Sequence, residues 1–365
     1  MLDPVQSRLR QRRLLDALRD QDLDAVVLGL PHHVYYLSAH LPNWLHSSGF
    51  VLLKDGRSWL CAANEPVANA AVDEPVSYEA QWMATLRQEQ PAVVADQIIA
   101  FLKSNGAHRI GIDASAVTAT VAGSRELEVQ GIDAALWQIR RRKDADELSL
   151  LQAAIRCTEV MYERARQMIQ PGVEELDVFN ELHAAAVKTA GEPLSAQLGN
   201  DFTCGGGGGP PRANRPVQAG ELYILDLGPA FRGYFADNCR TFSVDRQPTA
   251  QQREACEHVE SCFALIEQMA RPGVRGRAIY EVVIDHLQKR AGRVFDHHLG
   301  HGIGLQPHEY PHLSPRWDDV LLEGEVFAAE PGLYGDDLRG GIRIENNYLV
   351  TSTGVKLLLN APMSL

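Results

Sequence analysis

Apolar and polar positions along this chain fall into blocks whose spacing changes along its length. Residues 14–18 sit on an amphipathic helical pattern, and 92–103 return to it. Between and after them, 25–30, 49–53, 58–62 and 109–112 read as short strands. Strands alternating with helices predict a small α/β domain. The charged run RRRKDADELSLLQAA then reads as a linker entering a helix, with Asp144 followed by Glu147 as its start signal.

The second half repeats itself. QMIQPGV at 167–173 resembles QMARPGV at 268–274, and each follows one long helical pattern and precedes another. Pro-Gly ends the first helix in both, because neither residue continues a helix well. After each helix pair come two apolar strands around a Gly-containing loop, ILDLGPAFRGYFADNCRTF and VFAAEPGLYGDDLRGGIRIENNYLV. The pattern predicts an α+β chain: an α/β domain over 1–143, then 144–365 built from two similar helix–helix–hairpin halves.

Each hairpin carries a pair of acids. Asp226 and Asp237 are equidistant from a turn near Phe231 and Arg232, and Glu330 and Glu345 from a turn near Asp337 and Leu338. Residues equidistant from a turn face each other across a hairpin. Carboxylates that close repel unless a cation lies between them. The bland alternatives are exposed strand acids for Asp226 and Asp237 and a turn glutamate before Pro331 for Glu330. Yet Asp is depleted in strands, Asp226 and Glu330 both follow apolar runs, and a buried acid without partners is costly.

Between the hairpins lies HHLGHGIGLQPHEYPHL. His301 is flanked by Gly300 and Gly302, which would let the backbone bend closely around a metal. His297 lies before it and His308 after it, while His298 and His312 are read as bystanders. Four carboxylates and one imidazole predict a hard, oxygen-rich site for two divalent ions. The run CGGGGGPP lacks the Lys and Ser or Thr of a phosphate loop and reads as a flexible loop at the mouth of the site.

Composition narrows the partners. A chain of 365 residues, 45% hydrophobic, supports two domains with real cores. A net charge of −12 argues against holding nucleic acid by bulk charge. The 6 cysteines form no C-x-x-C pair, which excludes a zinc ribbon and a thioredoxin-like motif and suits a reducing cytoplasm. Arg8, Arg10, Arg12 and Arg13 are followed by no apolar stretch of signal-peptide length, and no run reaches the length of a membrane span. The expectation is a cytoplasmic protein with neither nucleic-acid nor membrane partners.

Asp226 and Asp237 in the first hairpin, His301 in GHGIGL, Glu330 in EPG and Glu345 in RIE closely resemble the pita-bread metallopeptidase family. That family includes prolidase, aminopeptidase P, methionine aminopeptidase and creatinase. The resemblance spans nearly the whole chain, and the segment with HHVYYLSAH looks like the creatinase/prolidase N-terminal domain. It implies a dinuclear metal-dependent hydrolase of Xaa-Pro dipeptidase or aminopeptidase P type, cleaving a short peptide or similar amide through a metal-bridging hydroxide. It further implies that Asp237 and Glu345 bridge two ions, that Asp226 completes one, and that His301 with Glu330 completes the other. Glu330 would also accept a proton, His308 stabilise the oxyanion, His297 line the leaving-group side, and Arg343 orient the carboxylates. The ions would be manganese, cobalt, iron or zinc. Members with this N-terminal domain are commonly homodimers in which a loop reaches the partner's site, for which Trp44 is the candidate here.

The chain departs from the family on the substrate side. A further histidine usually precedes the first hairpin; counting back from Asp226 puts Gly209 there, and no histidine lies between His183 and Asp226. Asn346 stands where Asp is frequent, and Cys239 where Thr or Ser is common. Three alternatives therefore stand beside the peptidase: a creatinase-like C–N hydrolase, a metal-dependent lyase, and a non-catalytic binding module of the same fold.

Overall fold

A computed structural model describes residues 1–64, 68–196, 201–289 and 295–365. Contacts divide the chain into two units, Met1–Arg140 and Arg141–Leu365. In the first, the short apolar runs become strands β1 (Ala25–Leu28), β2 (Gly49–Leu53), β3 (Ser58–Ala63) and β4 (Glu74–Tyr78). A small arm, β5 (Gln81–Trp82) and β6 (Thr85–Leu86), precedes β7 (Arg109–Ile112) and β8 (Glu128–Gly131). The main sheet runs β4-β3-β2-β1-β7-β8, with β1 antiparallel to β2 and parallel to β7. Every residue of β1 is buried, as expected for a strand covered on both faces. Among the helices α1 (Pro4–Ala17), α2 (Pro31–Ser38), α3 (Gln90–Ser104), α4 (Ala116–Ala122) and α5 (Asp133–Arg140), α3 packs Val94 and Ile98 with Val27, Val51 and Ile110 in the core.

The second unit shows the repeat directly. Helix α6 (Ala145–Met168) starts in the expected capping box, where Asp144 N–H donates to Glu147 Oε2 at 2.9 Å. It stops at the first Pro-Gly, and α7 (Glu175–Ala190) follows. The first hairpin comprises β9 (Leu222–Leu227), β10 (Ala230–Phe231), β11 (Tyr234–Phe235) and β12 (Asn238–Ser243). The sequence then repeats itself as α8 (Ala250–Met269), the second Pro-Gly, and α9 (Gly276–Leu287). Val178, Leu182 and Ala186 on α7 match Ile279, Val283 and Leu287 on α9, one apolar residue per turn facing inward in each. Each half owns a core. One joins Ile155, Met161 and Leu182 to Tyr223 and Leu225; the other joins Val259, Phe263 and Val283 to Phe327, Ile342 and Tyr348.

After α9 come β13 (Gly300–Gly302), β14 (Glu309–Leu313), β15 (Val326–Ala329), β16 (Gly332–Gly335), β17 (Gly340–Arg343), β18 (Asn346–Val350) and β19 (Val355–Leu357). They form a five-stranded sheet, β14-β13-β15-β18-β19, and the ribbon β16-β17. Both ladders of the second hairpin, Ala329↔Asn346 and Gly332↔Arg343, share one register, which sets Glu330 opposite Glu345 as expected. The first hairpin is different. Its register pairs Asp226 with Cys239, not with Asp237. The turn is a tight one at Arg232 and Gly233, both at positive φ, so its centre lies one residue later than the sequence suggested. Asp237 is two residues along from Cys239, so it shares a face with Asp226 on the diagonal instead of directly across.

The two hairpins are stitched together. Glu345 N–H donates to Cys239 O at 2.9 Å, and Arg343 N–H to Thr241 Oγ1 at 3.1 Å. Arg240, only 1% exposed, threads this junction. It donates to Cys239 O, Glu345 O, Asn346 Oδ1, Ala361 O and Pro362 O. A strap at the start of the unit is docked by buried ion pairs. Arg141 pairs with Glu325, and Lys143 Nζ lies 3.2 Å from Glu309 Oε2. Glu309 in turn accepts from Gln306 N–H at 2.9 Å, fixing the loop that carries His308.

Arg240→Met should strand several buried acceptors at once. The expected loss is about 3 kcal/mol or more, read as a lower urea midpoint of the metal-free protein. A change within about 0.5 kcal/mol, as for an ordinary surface site, would show that the clamp is dispensable.

Candidate metal centre

The four acids converge from both hairpins. Oxygens of Asp226, Asp237 and Glu345 lie within 4.8 Å of one another, and ligand-type atoms of Glu330, His298 and His301 form a second such group. Asp237 and His301 also group with His308. Burial comes first among the forces on these carboxyls. It pushes Asp237, Glu330 and Glu345 well above the usual carboxylate range, and mutual repulsion adds to it. Asp226 is also raised, chiefly by burial, despite the Arg343 guanidinium beside it. Glu345 Oε2 is buried and has no hydrogen-bond donor. An orphaned carboxylate oxygen beside two further carboxylates fits a divalent cation, so these residues suit the metal pair that the sequence implies.

His301 sits on β13, inside the five-stranded sheet. Its Nδ1 lies 3.1 Å from its neighbour's carbonyl, Gly302 O, which turns Nε2 toward the acids. Nε2 is 3.6 Å from Glu330 Oε1 and 3.7 Å from Asp237 Oδ2. Burial lowers its pKa well below the ordinary value, favouring the neutral imidazole that binds metals. The flanking glycines serve a different purpose from the one expected. A Cβ on Gly300 would stand 2.0 Å from Ala328 O, and one on Gly302 1.9 Å from Tyr310 O. They admit the neighbouring strands rather than bend the chain around a metal.

The other histidines divide by what they touch. His308 stacks on His301, ring centroids 3.7 Å apart and planes 8° apart. His297 donates from Nδ1 to His298 O at 2.8 Å and accepts at Nε2 from Tyr334 Oη at 2.9 Å. Both its ring nitrogens are therefore engaged, and Nδ1 also lies 3.8 Å from Glu330 Oε2. His312 is drawn to Asp319, 2.7 Å away, and stacks on Trp317. His298, read as a bystander, instead places Nδ1 3.2 Å from Glu330 Oε1. Burial, with His297 and His308 nearby, pushes its pKa down to about 4.

Arg343 lies against the first-hairpin acids. It donates to Asp226 Oδ2 at 2.8 Å, to Asp201 Oδ2, and to Tyr334 Oη at 3.4 Å. Asp201 and Tyr334 carry no motif, and only the folded chain brings them here. Asp201 also accepts from Gly209 N–H at 2.5 Å. Gly209 has φ +126° and Gly208 φ +141°, where a side chain is strained; a Cβ on Gly208 would stand 2.5 Å from Asp201 Oδ2. At Gly209, the position counted back from Asp226 for the expected histidine, the backbone wraps on a carboxylate. The glycine run is tied down there and is less free than its composition suggests.

Comparison with known proteins agrees with this architecture. The profile of Metallopeptidase family M24 matches residues 149–352, and that of the Creatinase/Prolidase N-terminal domain residues 10–141. An uncharacterized peptidase of Staphylococcus aureus, SAUSA300_1654, is 27% identical over 95% of this chain and 97% of its own. Another, YqhT of Bacillus subtilis, is 27% identical over 72% of this chain and 76% of its own. Among solved structures, the Pyrococcus horikoshii prolidase superposes with TM-score 0.78 at 21% identity, covering 97% of this chain and 99% of that one. An Xaa-Pro dipeptidase from Bacillus anthracis gives 0.79 at 23% identity, covering 98% and 99%. With more than half of its length matched, the chain belongs to metallopeptidase family M24, whose pita-bread enzymes work with two divalent metal ions, and carries a creatinase/prolidase-type domain ahead of the catalytic one.

Proposed function

We propose that the protein is a peptidase of the Xaa-Pro dipeptidase or aminopeptidase P kind, acting on a short peptide or a similar amide. The observation that carries this is the convergence of Asp226, Asp237, His301, Glu330 and Glu345 from two stitched hairpins, with Glu345 Oε2 left for a cation. Asp237 and Glu345 would be shared between two ions, Asp226 would complete one, and His301 with Glu330 the other. Bound there, the ions supply Lewis acidity and lower the pKa of water. Glu330 accepts the proton of the attacking water at a carboxylate oxygen. His308, held against His301 by stacking and through the Glu309–Lys143 pair, donates to the oxygen that gains charge. Arg343 and Tyr334 hold Asp226 and His297 in place. The solved relatives named for prolidase and Xaa-Pro dipeptidase activity support the prolyl reading.

A homodimer is proposed with it. Trp44 is 87% exposed and available to a partner. A cytoplasmic location fits six cysteines that are all free and buried. Among the described residues, no helix is long and apolar enough to cross a membrane.

Asp237→Ala and Glu345→Ala should each lower bound metal and cut activity by several orders of magnitude. Full metal content and full activity in either variant would refute the shared-ligand assignment. His301→Ala should lose metal, whereas His308→Ala should keep it and lose about 10²–10³-fold in turnover. Equal loss of metal in both, measured on purified protein, would move His308 into the ligand set.

The substrate side sets the last expectation. If Gly209 stands where a histidine is expected, a contact that strengthens in the transition state would be lost, and Asp201 with the Gly208–Gly209 backbone lies there instead. Xaa-Pro dipeptides should be cleaved poorly beside longer Xaa-Pro peptides and non-prolyl amides at equal metal content. A dipeptide kcat/KM of about 10⁴ M⁻¹s⁻¹ or above would show that the histidine is dispensable. Poor cleavage of all three classes would favour the creatinase-like or lyase alternative.

A further inference from the structure

The family's five ligand positions leave His298 without a role, yet its Nδ1 is buried and makes no hydrogen bond. It lies 3.2 Å from Glu330 Oε1, off the line a hydrogen bond would need. His301 Nε2 lies 3.6 Å from the same oxygen, and ligand atoms of the three residues all fall within 4.8 Å of one another. Two atoms bound to one ion at about 2.1 Å are separated by about 3.0 Å in an octahedral shell and about 3.4 Å in a tetrahedral one. We infer that His298 is an added ligand, its Nδ1 joining His301 Nε2 and Glu330 Oε1 on one ion. The inference rests on the ligand assignments proposed above.

The surroundings hold the ring in that attitude. His298 O accepts from His297 Nδ1 at 2.8 Å, and Glu330 N–H donates to Leu299 O at 2.8 Å. The segment and its target glutamate are thereby fastened to each other. The His298 ring stands edge-on to His301, with centroids 5.3 Å apart and planes at 65°, so the two imidazoles are not stacked face to face. His297 cannot do the same, since both of its nitrogens are engaged.

The consequence is an unequal pair of metal sites. One ion would take two imidazoles and carboxylate oxygen; the other, among Asp226, Asp237 and Glu345, oxygen alone. Imidazole favours zinc, iron and nickel, whereas an all-oxygen shell suits manganese or magnesium. The protein should therefore load different ions on its two sites when offered a mixture of zinc and manganese.

The test is titration of metal-stripped protein with Co²⁺, following visible absorption and bound stoichiometry, for wild type, His298→Ala and His298→Gln. Both variants should weaken one of the two cobalt ions by about tenfold or more and change its spectrum. They should also lose the zinc preference of that site in competition with manganese. Two ions held with wild-type affinity and an unchanged spectrum in both variants would overturn the inference while leaving the dinuclear reading intact. The same holds if only KM rises, because His298 would then contact substrate. Failure of the wild type to bind a pair of cobalt ions would refute the ligand assignments themselves, and this inference with them.

Discussion

Four carboxylates brought together in a protein interior repel one another, and the second unit is built around containing that repulsion. Burial is the largest cause raising each of the four, and neighbouring carboxylates add to it. Two arginines answer the problem differently. Arg343 places its charge against Asp226 and Asp201. Arg240 leaves the carboxylates alone and spends its donors on main-chain and side-chain oxygens around them, holding both hairpins in one frame. Neither reaches Glu345 Oε2. The protein fixes the acids in place and leaves their remaining charge for cations.

The halves differ in how they deliver their acids, and the difference follows from the turns. In the second hairpin one register runs unbroken on both sides of Glu330 and Glu345, so counting outward from the turn locates the pair correctly. In the first, a two-residue turn at Arg232 and Gly233 moves the centre, and the acids meet on a diagonal. A one-residue error in locating a turn moves a cross-strand partner by two, which keeps the face and changes the neighbour. For that reason the shared face was legible in the sequence while the direct partner, Cys239, was not.

Local chemistry made much of this protein readable before folding. The capping box at Asp144 and the repeated Pro-Gly stops between helices act within a few residues, and each appears where the pattern put it. What stayed hidden is what depends on distant segments meeting. Asp201 and Tyr334 reach Arg343 only through tertiary packing. Histidine density marked the loop but could not rank its members. His297 spends its nitrogens on Tyr334 and a carbonyl, whereas its neighbour faces Glu330.

The strap at Arg141–Lys143 bears on where this chain can be divided. The family profile begins at residue 149, inside α6, but the ion pairs that fasten the second unit begin eight residues earlier, at Arg141. A fragment cut at the profile boundary would leave Glu325 and Glu309, whose side chains are 0% and 8% exposed, without their cationic partners. An uncompensated buried charge is among the more destabilising defects a fold can carry. In the Glu309 case the damage would extend to the loop that presents His308. Anyone excising or transplanting the catalytic unit should therefore place the cut on the far side of Arg141, because the charged run that reads as a tether is the unit's own first structural layer.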